Sequence, residues 1–373
     1  MTSELSSLCS YAKGKVSVDT LSKRNYVSTE NMMPNKGGIV DAGALPSAQY
    51  TQQYIKDDIL VSNIRPYFKK IWMADDDGGC SNDVLVFRAD RGCDSTFLYY
   101  ILANDAFFNY ASATSKGTKM PRGDKTAIMQ YKVPCFNYET QLRIGKLLRS
   151  IDDRIAVNKK INDNLHQQAA ALFSSLYDRS NTEVRFTDLI QILGGGTPKT
   201  GENTYWNGNI AFFTPKDVGI PYTLITEKTI SKEGLSHCNS RLYPVNTVFV
   251  TARGTVGKVG MSGVPMAMNQ SCYALVGKET HQLLVYFYTL KAVDRLKHKA
   301  SGAVFDAITT RDFESEQIMK LSDDDATAFL RVAEPMFQEV LNNNIENLRL
   351  STLRDSLLPK LMSGELDVSS VLL

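Results

Sequence analysis

Residues 144 to 176 read IGKLLRSIDDRIAVNKKINDNLHQQAAALFSSL. Ile144, Leu148, Ile151, Ile155, Asn158, Asn162, Leu165, Ala169, Leu172 and Leu176 recur in this stretch at alternating spacings of four and three. That period predicts a helix with a coiled-coil seam sustained over several heptads. Asn158 and Asn162 are the polar members of the seam. Asparagine at such a position costs stability and fixes register and partner. A helix of about 40 residues is roughly 60 Å long, too long for a compact core, and reads as a spacer.

A second helical segment is expected from about Ala326 to Met362, with Phe337, Leu341, Ile345, Leu348, Leu353, Leu357 and Leu361 as a less regular stripe. Pro335 belongs in its first turns or kinks it. The two segments share a local likeness: Asn158-Lys-Lys-Ile161 matches Asn342-Asn-Asn-Ile345, and Phe173 and Tyr177 fall where Leu357 and Leu361 do. Antiparallel packing would bury both stripes. Two unrelated amphipathic helices, each covering its own domain, are the alternative.

The segments before each helix also repeat. Asp58-Ile-Leu-Val-Ser-Asn-Ile-Arg65-Pro-Tyr-Phe-Lys69-Lys70-Ile71 aligns at one constant offset with Asn246-Thr-Val-Phe-Val-Thr-Ala-Arg253-Gly254-Thr-Val-Gly-Lys258-Val259. Tyr26-Val-Ser28-Thr-Glu-Asn31-Met32 matches Phe212-Phe-Thr214-Pro-Lys216-Asp217-Val218, and Ser115-Lys116-Gly117-Thr-Lys119 resembles Ala300-Ser-Gly302-Ala-Val304. The chain therefore reads as a tandem duplication of a small α+β unit followed by a long helix. The expected divisions are a first domain at 1–137, a central helix at 138–180, a second domain at 181–322 and a distal helix at 323–373. Within the units, NTVFVTARGTVGKVGMS (246–262) reads as a hairpin, and the stretches from Ser95 and from Gln282 as helical runs.

The chain has 373 residues, 43% of them hydrophobic and 22% charged, with a net charge of +2. That is room for two globular domains, and it excludes a globally basic protein while leaving local basic faces open. The six cysteines form no C-x-x-C pair and suit reduced thiols in a cytoplasmic protein. No signal peptide and no membrane-spanning run is evident.

The run LGGGTPKTGENTYWNGNIAFFTPKDVG (193–219) raises the question of a phosphate cradle. Gly196 and Gly201 have the glycine spacing of a P-loop, but Glu202-Asn203 replaces the required Lys-Ser/Thr pair. A dinucleotide fingerprint fails because a turn, TYWNG, follows instead of a helix. Neither H-E-x-x-H nor G-x-S-x-G occurs, and there are four histidines in all. Asp75-Asp76-Asp77 reads as a solvated loop and Asp323-Asp324-Asp325 as a helix N-terminus. As a catalyst this chain offers little, and no metal site is expected.

What remains is a polar, aromatic surface with cations at intervals, the chemistry of phosphate and base-edge contact. In the second unit the candidates are Gly195, Gly196, Thr197, Lys199, Tyr205, Trp206, Thr214, Lys216 and Asp217, followed by Arg253, Gly254, Lys258, Asn269 and Gln270. In the first they are Ser28, Asn31, Arg65, Lys69, Lys70, Lys116, Lys119 and Arg122. Tyr205 and Trp206 fit core anchors as well as a binding surface. For partner docking and spacing the candidates are Ile151, Ile155, Asn158, Asn162, Leu165, Leu172, Ile345, Leu348 and Leu357.

LGGGTPKT…YWNGNIAFFTPKDV and TARGTVGKVG resemble the recognition-domain motifs of specificity subunits of type I restriction-modification systems. IDDRIAVNKKINDNL and LRDSLLPKLMSGELDV resemble the two conserved helices of that family. The likeness spans nearly the whole chain, although the first unit lacks Gly-Gly-Thr-Pro and has Arg65-Pro-Tyr-Phe-Lys in place of the Arg-Gly form. It implies two target-recognition domains, each reading half of a split asymmetric sequence in double-stranded DNA. The two helices would pack as an antiparallel coiled coil that sets the half-site spacing. It also implies two methyltransferase subunits and motor/nuclease subunits as partners, which would bind S-adenosylmethionine, ATP and Mg, while this chain performs no chemistry. A coiled-coil scaffold or adaptor without DNA binding is the alternative.

Overall fold

A computed structural model describes residues 2–299 and 307–368. They fall into two compact units, one running to Arg154 and resuming at Arg349, the other Ile155–Leu348. Two helices of 41 residues each, Tyr138–Asp178 and Asp323–Ser363, contribute one part to each unit. Among the described residues, no helix is long and apolar enough to cross a membrane.

The first unit is closed by an antiparallel ribbon of Thr2–Glu4 with Lys132–Pro134. One sheet runs in the order Cys9–Tyr11, Val84–Ala89, Ile59–Ser62, Ile71–Met73, and a second in the order Lys15–Ser17, Tyr50–Tyr54, Gly78–Cys80, Tyr26–Val27. Ile59 and Val61 pack with Phe97, Phe107, Ile144, Leu148 and Leu361 on the helical side of the first sheet. Leu60, Val84 and Val86 point to the other side, against Val27, Tyr54 and Cys80. Both faces are buried, which explains a continuous apolar run where a half-exposed strand would alternate. The run from Ser95 forms two helices, Ser95–Ala103 and Asp105–Ala113, because Asn104 is extended and its side chain caps the second.

The second unit repeats this plan. Its closing ribbon is Thr182–Arg185 with Gln317–Lys320. Its main sheet runs Ile190–Gly194, Cys272–Gly277, Val248–Thr251, Val259–Ser262, Tyr222–Thr223, beside a smaller sheet of Lys228–Ile230, Trp206–Phe213 and Met266–Met268. Val248 and Val250 face the helix Gln282–Lys299 and parts of the long helices, and Phe249 faces Phe213, Met266 and Met268. The expected hairpin is present, with Val250 opposite Val259.

The duplication holds, but the single constant offset does not. In the first unit Val61 lies opposite Ile71; in the second Val250 lies opposite Val259. Val61 and Val250 both face the helices, so they are the matching residues. The connecting turn is therefore one residue shorter in the second unit. A one-residue slip would turn every strand side chain to the opposite face, so the core fixes this register whatever letters match in the turn. Arg65 consequently occupies the place of Gly254, and both are left-handed, at φ 50° and 81°. Ile64, not Arg65, is the counterpart of Arg253: Ile64 bridges to Arg122 and Arg253 to Ala307. The resemblance drawn for Ala300–Val304 lies outside the described residues.

The long helices run antiparallel within each unit. In the second unit Asn158 donates to Glu346 at 2.7 Å and to Asn347 at 3.0 Å. Asn162 donates to Asn344 at 3.0 Å and accepts from Asn343 at 2.9 Å. The two asparagines are almost fully buried, and their partners lie on the other helix, as a register-fixing polar layer requires. In the first unit Arg354 reaches Asp152 at 2.6 Å, and Asp152 accepts the Tyr100 hydroxyl at 2.6 Å. Ile151 and Ile155 are buried, while Leu165, Leu172, Ile345, Leu348 and Leu357 are half-buried, so these spacer candidates line the packed side. Leu353 does not belong to the stripe, being 46% exposed; Leu358 is buried in its stead. Pro335 lies well inside an unbroken helical segment and not in its first turns.

Candidate nucleic-acid interface

In the second unit hydrogen bonds gather the loops at the ends of four strands. Gly195 lies so close to the 268–269 backbone that a Cβ there would stand 2.2 Å from the Asn269 carbonyl oxygen. A Cβ on Gly196 would stand 2.7 Å from the Asn239 nitrogen, and its N–H already donates to the Met268 carbonyl at 3.1 Å. These glycines permit close backbone packing, and the Gly196 N–H is taken up by that packing. The Thr197 hydroxyl donates to Gln270. Asn269 N–H donates to the Phe213 carbonyl at 3.0 Å, and the Thr255 hydroxyl to the Pro215 carbonyl at 3.2 Å. The segments around Thr197, Thr214, Arg253–Lys258 and Asn269–Gln270 thus form one surface.

Thr214 and Asp217 build that surface from within. One Asp217 carboxylate oxygen accepts the Thr214 N–H and hydroxyl at 2.8 and 2.6 Å, and the other accepts the Glu227 N–H at 2.7 Å. Ser28 and Asn31 repeat the device in the first unit, where Asn31 accepts from Ser28 N–H at 2.6 Å and donates to the Tyr26 and Val40 carbonyls. This is the matched pair that the sequence repeat pointed to, and its polar groups hold turns together. Asn269 likewise accepts the Ser271 N–H at 3.0 Å.

Trp206 and Tyr205 are half-buried. Trp206 meets Phe212 edge-on and donates its indole N–H to the Lys199 carbonyl at 3.1 Å, which pins the Gly196–Trp206 loop. Tyr205 stacks on His237 at 4.9 Å, and Lys228 lies 5.5 Å from the Trp206 ring centre. Among the described residues no carboxylate lies within ion-pair reach of Lys199, Arg253 or Lys258, whereas Lys216 reaches Glu227 at 3.5 Å. Arg253 and Lys258 flank the tip of the hairpin, whose glycines Gly254 and Gly257 are both left-handed.

The first unit gathers the corresponding loops. Arg65 N–H donates to the Pro121 carbonyl at 2.8 Å, Lys116 and Arg122 exchange backbone hydrogen bonds at 2.9 Å, and the Lys70 ammonium donates to the Thr29 carbonyl at 2.6 Å. Here most cations have partners: Lys69 with Asp105 at 2.8 Å, Lys116 with Asp124 at 2.5 Å, Arg122 with Asp83 at 3.0 Å. Lys119 is exposed and, among the described residues, has none. The Lys116 ammonium holds the Asp124 carboxyl below its usual range.

Sequence reasoning missed several residues of these surfaces. Lys36 joins Lys69 on Asp105, His237 backs Tyr205, and Tyr67 and Phe68 are 51% and 39% exposed. The aromatic pair could have been found from its setting, two rings between Arg65 and Lys69. Lys36 and His237 carry no local signal.

Burial pushes the Cys80, Cys93 and Cys272 thiols up to about 12, away from nucleophilic ionisation. Among the described residues no His, Cys, Asp and Glu cluster fits a metal ion. Asp323 to Asp325 occupy a helix N-terminus, as expected.

A family model described as the type I restriction modification DNA specificity domain matches residues 1–167 and again residues 179–320. The chain belongs to that family. It is a type I restriction-modification specificity subunit with two tandem target-recognition domains. It is similar to the specificity subunit of the type I restriction enzyme HindI of Haemophilus influenzae, 23% identical over 91% of this chain and 94% of that protein. It also resembles the EcoR124I/EcoR124II specificity subunit of Escherichia coli, 29% identical over 42% of each chain. The S subunit of the M. genitalium type I system shares the fold, with a TM-score of 0.64 at 16% identity over 97% of this chain and 96% of that one. The function of such a subunit is DNA sequence recognition, alongside the other subunits of its complex.

Proposed function

We propose that each unit of this chain reads one half of a split, asymmetric DNA target. The two long helices set the separation of the halves and dock two methyltransferase subunits, and the chain itself catalyses nothing. S-adenosylmethionine, ATP and Mg would be held by the methyltransferase and motor/nuclease partners. The observation that carries this reading is the loop surface built from corresponding strand ends in both units but furnished differently. Gly254-Thr-Val-Gly257 stands in one where Arg65-Pro-Tyr-Phe-Lys69 stands in the other. A duplicated scaffold with unlike tips suits two unlike half-sites. Arg253 and Lys258, which have no ion pair among the described residues, supply the phosphate and guanine contacts that such reading uses, and partner subunits add to the phosphate contact that a near-neutral chain leaves short.

The test is a genome-wide map of N6-methyladenine in the host, with and without this gene. The expected result is the loss of methylation at one split motif on deletion. An unchanged map in a host whose partner genes are expressed would refute the reading and favour a scaffold role.

A further inference from the structure

The turn between Ile59–Ser62 and Ile71–Met73 is built in a way that closing a hairpin does not require. Arg65 and Lys69, which bracket the short helical turn Pro66–Phe68, are both left-handed at φ 50° and 52°. Side chains other than glycine hold that conformation only when their surroundings impose it, and such residues cluster at ligand-contacting sites. The second unit closes the same hairpin with glycine at both left-handed positions, one residue fewer, and no ring.

The surroundings that impose it are visible. The Phe68 and Lys69 carbonyls accept the Asn35 and Lys36 N–H groups, both at 2.8 Å. Lys36 and Lys69 then converge on Asp105 at 2.8 Å each. This double strap holds Tyr67 and Phe68 outward, more than a third exposed, with ring centres 4.8 Å apart. The Lys70 ammonium lies 5.9 Å from the Phe68 ring centre. The Arg65 Nε is buried with no hydrogen-bond partner. Lys36 and Lys69 share the Asp105 carboxylate, and among the described residues Arg65 and Lys70 have no ion pair, so four cations and one paired carboxylate surround the apolar tip.

We propose that Tyr67 and Phe68 form an aromatic wedge that packs against bases of the half-site read by the first unit, partly unstacking one base step. Arg65 and Lys70 would hold the adjoining phosphates. The occupant is duplex DNA because rings ringed by cations match stacked bases ringed by phosphates. Apolar side chains that enter base steps favour deformable pyrimidine–purine steps. The second unit, with Gly254 to Gly257 at this place, would read its half without a wedge. This inference rests on the function proposed above.

The test uses the complete chain assembled with its methyltransferase subunits and a duplex bearing the mapped motif. 2-Aminopurine replaces the adenines, one at a time, of the half-site that remains readable in the Arg253→Ala protein. A severalfold rise in fluorescence at one step is expected with the native complex and is lost with Phe68→Ala. Methylation of the motif should fall roughly ten- to a hundredfold in Tyr67→Ala/Phe68→Ala, the range of base–aromatic stacking. Phe68→Leu, which keeps an apolar wedge, should recover part of the loss, and unchanged thermal unfolding of each variant checks the fold. Native-level methylation by the double variant, or no fluorescence change at any step, overturns the wedge while leaving the reading of DNA intact. Loss of methyltransferase assembly with DNA contact preserved would place the tip against protein and overturn it too. Failure of the native complex to recognise any split motif removes both proposals at once.

Discussion

Gly254 and Gly257 differ in what a side chain would meet, and that difference fixes two unequal costs. Both are left-handed, at φ 81° and 73°. A Cβ on Gly254 meets nothing within 4 Å, so Gly254→Ala bears only backbone strain. That strain is about 1–2 kcal/mol, offset by roughly 0.4–1 kcal/mol through the reduced freedom of the unfolded chain, which leaves about 1 kcal/mol. A Cβ on Gly257 stands 2.5 Å from the Lys297 Cε and 3.0 Å from the Val293 Cγ1. Lys297 donates to the Gly257 carbonyl at 2.7 Å. Moving Lys297 aside loses a hydrogen bond worth about 1 kcal/mol, so Gly257→Ala should cost about 2 kcal/mol. For a unit of this size the shifts in Tm are roughly 2–4 °C and 4–8 °C. Differential scanning calorimetry measures them, and hydrogen exchange on Val248–Thr251 assigns the loss to the second unit. Equal shifts for the two variants, or none for Gly254→Ala, would refute the conformational argument and with it the equivalence of Arg65 and Gly254.

Arg253→Ala should weaken recognition of one half-site and leave the other intact, read from methylation of duplexes with one half altered at a time; equal loss at both halves would contradict independent reading units. Asp152→Ala strands the Tyr100 hydroxyl and takes one carboxylate partner from Arg354, which keeps Asp355, a cost of about 1–3 kcal/mol. Urea denaturation with a midpoint like that of the native protein would show the triad to be inert. Asn162→Leu leaves Asn343 without its acceptor and should cost about 1–3 kcal/mol, while Leu at both positions should recover most of it, as a double-mutant cycle would establish. Burial beside Tyr286 lowers the His166 pKa below 6.5. The unfolded chain then binds the proton more readily, so this stability is complete above pH 6.5 and declines as pH falls below it. In His166→Gln the dependence of Tm on pH between about 5 and 7 should flatten; an unchanged slope would assign it elsewhere.

The sequence by itself determined the long helices and the duplication. Helix periodicity and turn chemistry are local, written within a few residues of each other. Ile144 to Leu176 could be read without knowing what they touch, and Ser28–Asn31 and Thr214–Asp217 proved to be the same turn. Legibility ended where the answer depended on residues far apart in the chain. Arg65 and Arg253 line up as letters, yet the pairing of Val61 with Ile71 and of Val250 with Val259 puts Arg65 with Gly254. Core packing sets that register, and a string comparison cannot weigh it. Gly195 and Gly196 are legible as glycines, but the backbone of Asn269 and Asn239 packed against them is not. Which cations are free depends in the same way on carboxylates brought from elsewhere, such as Asp105 to Lys36 and Lys69. Only the tertiary structure decided which of the predicted polar residues hold turns and which face outward, because exposure and pairing belong to the assembled unit and not to any stretch of its chain.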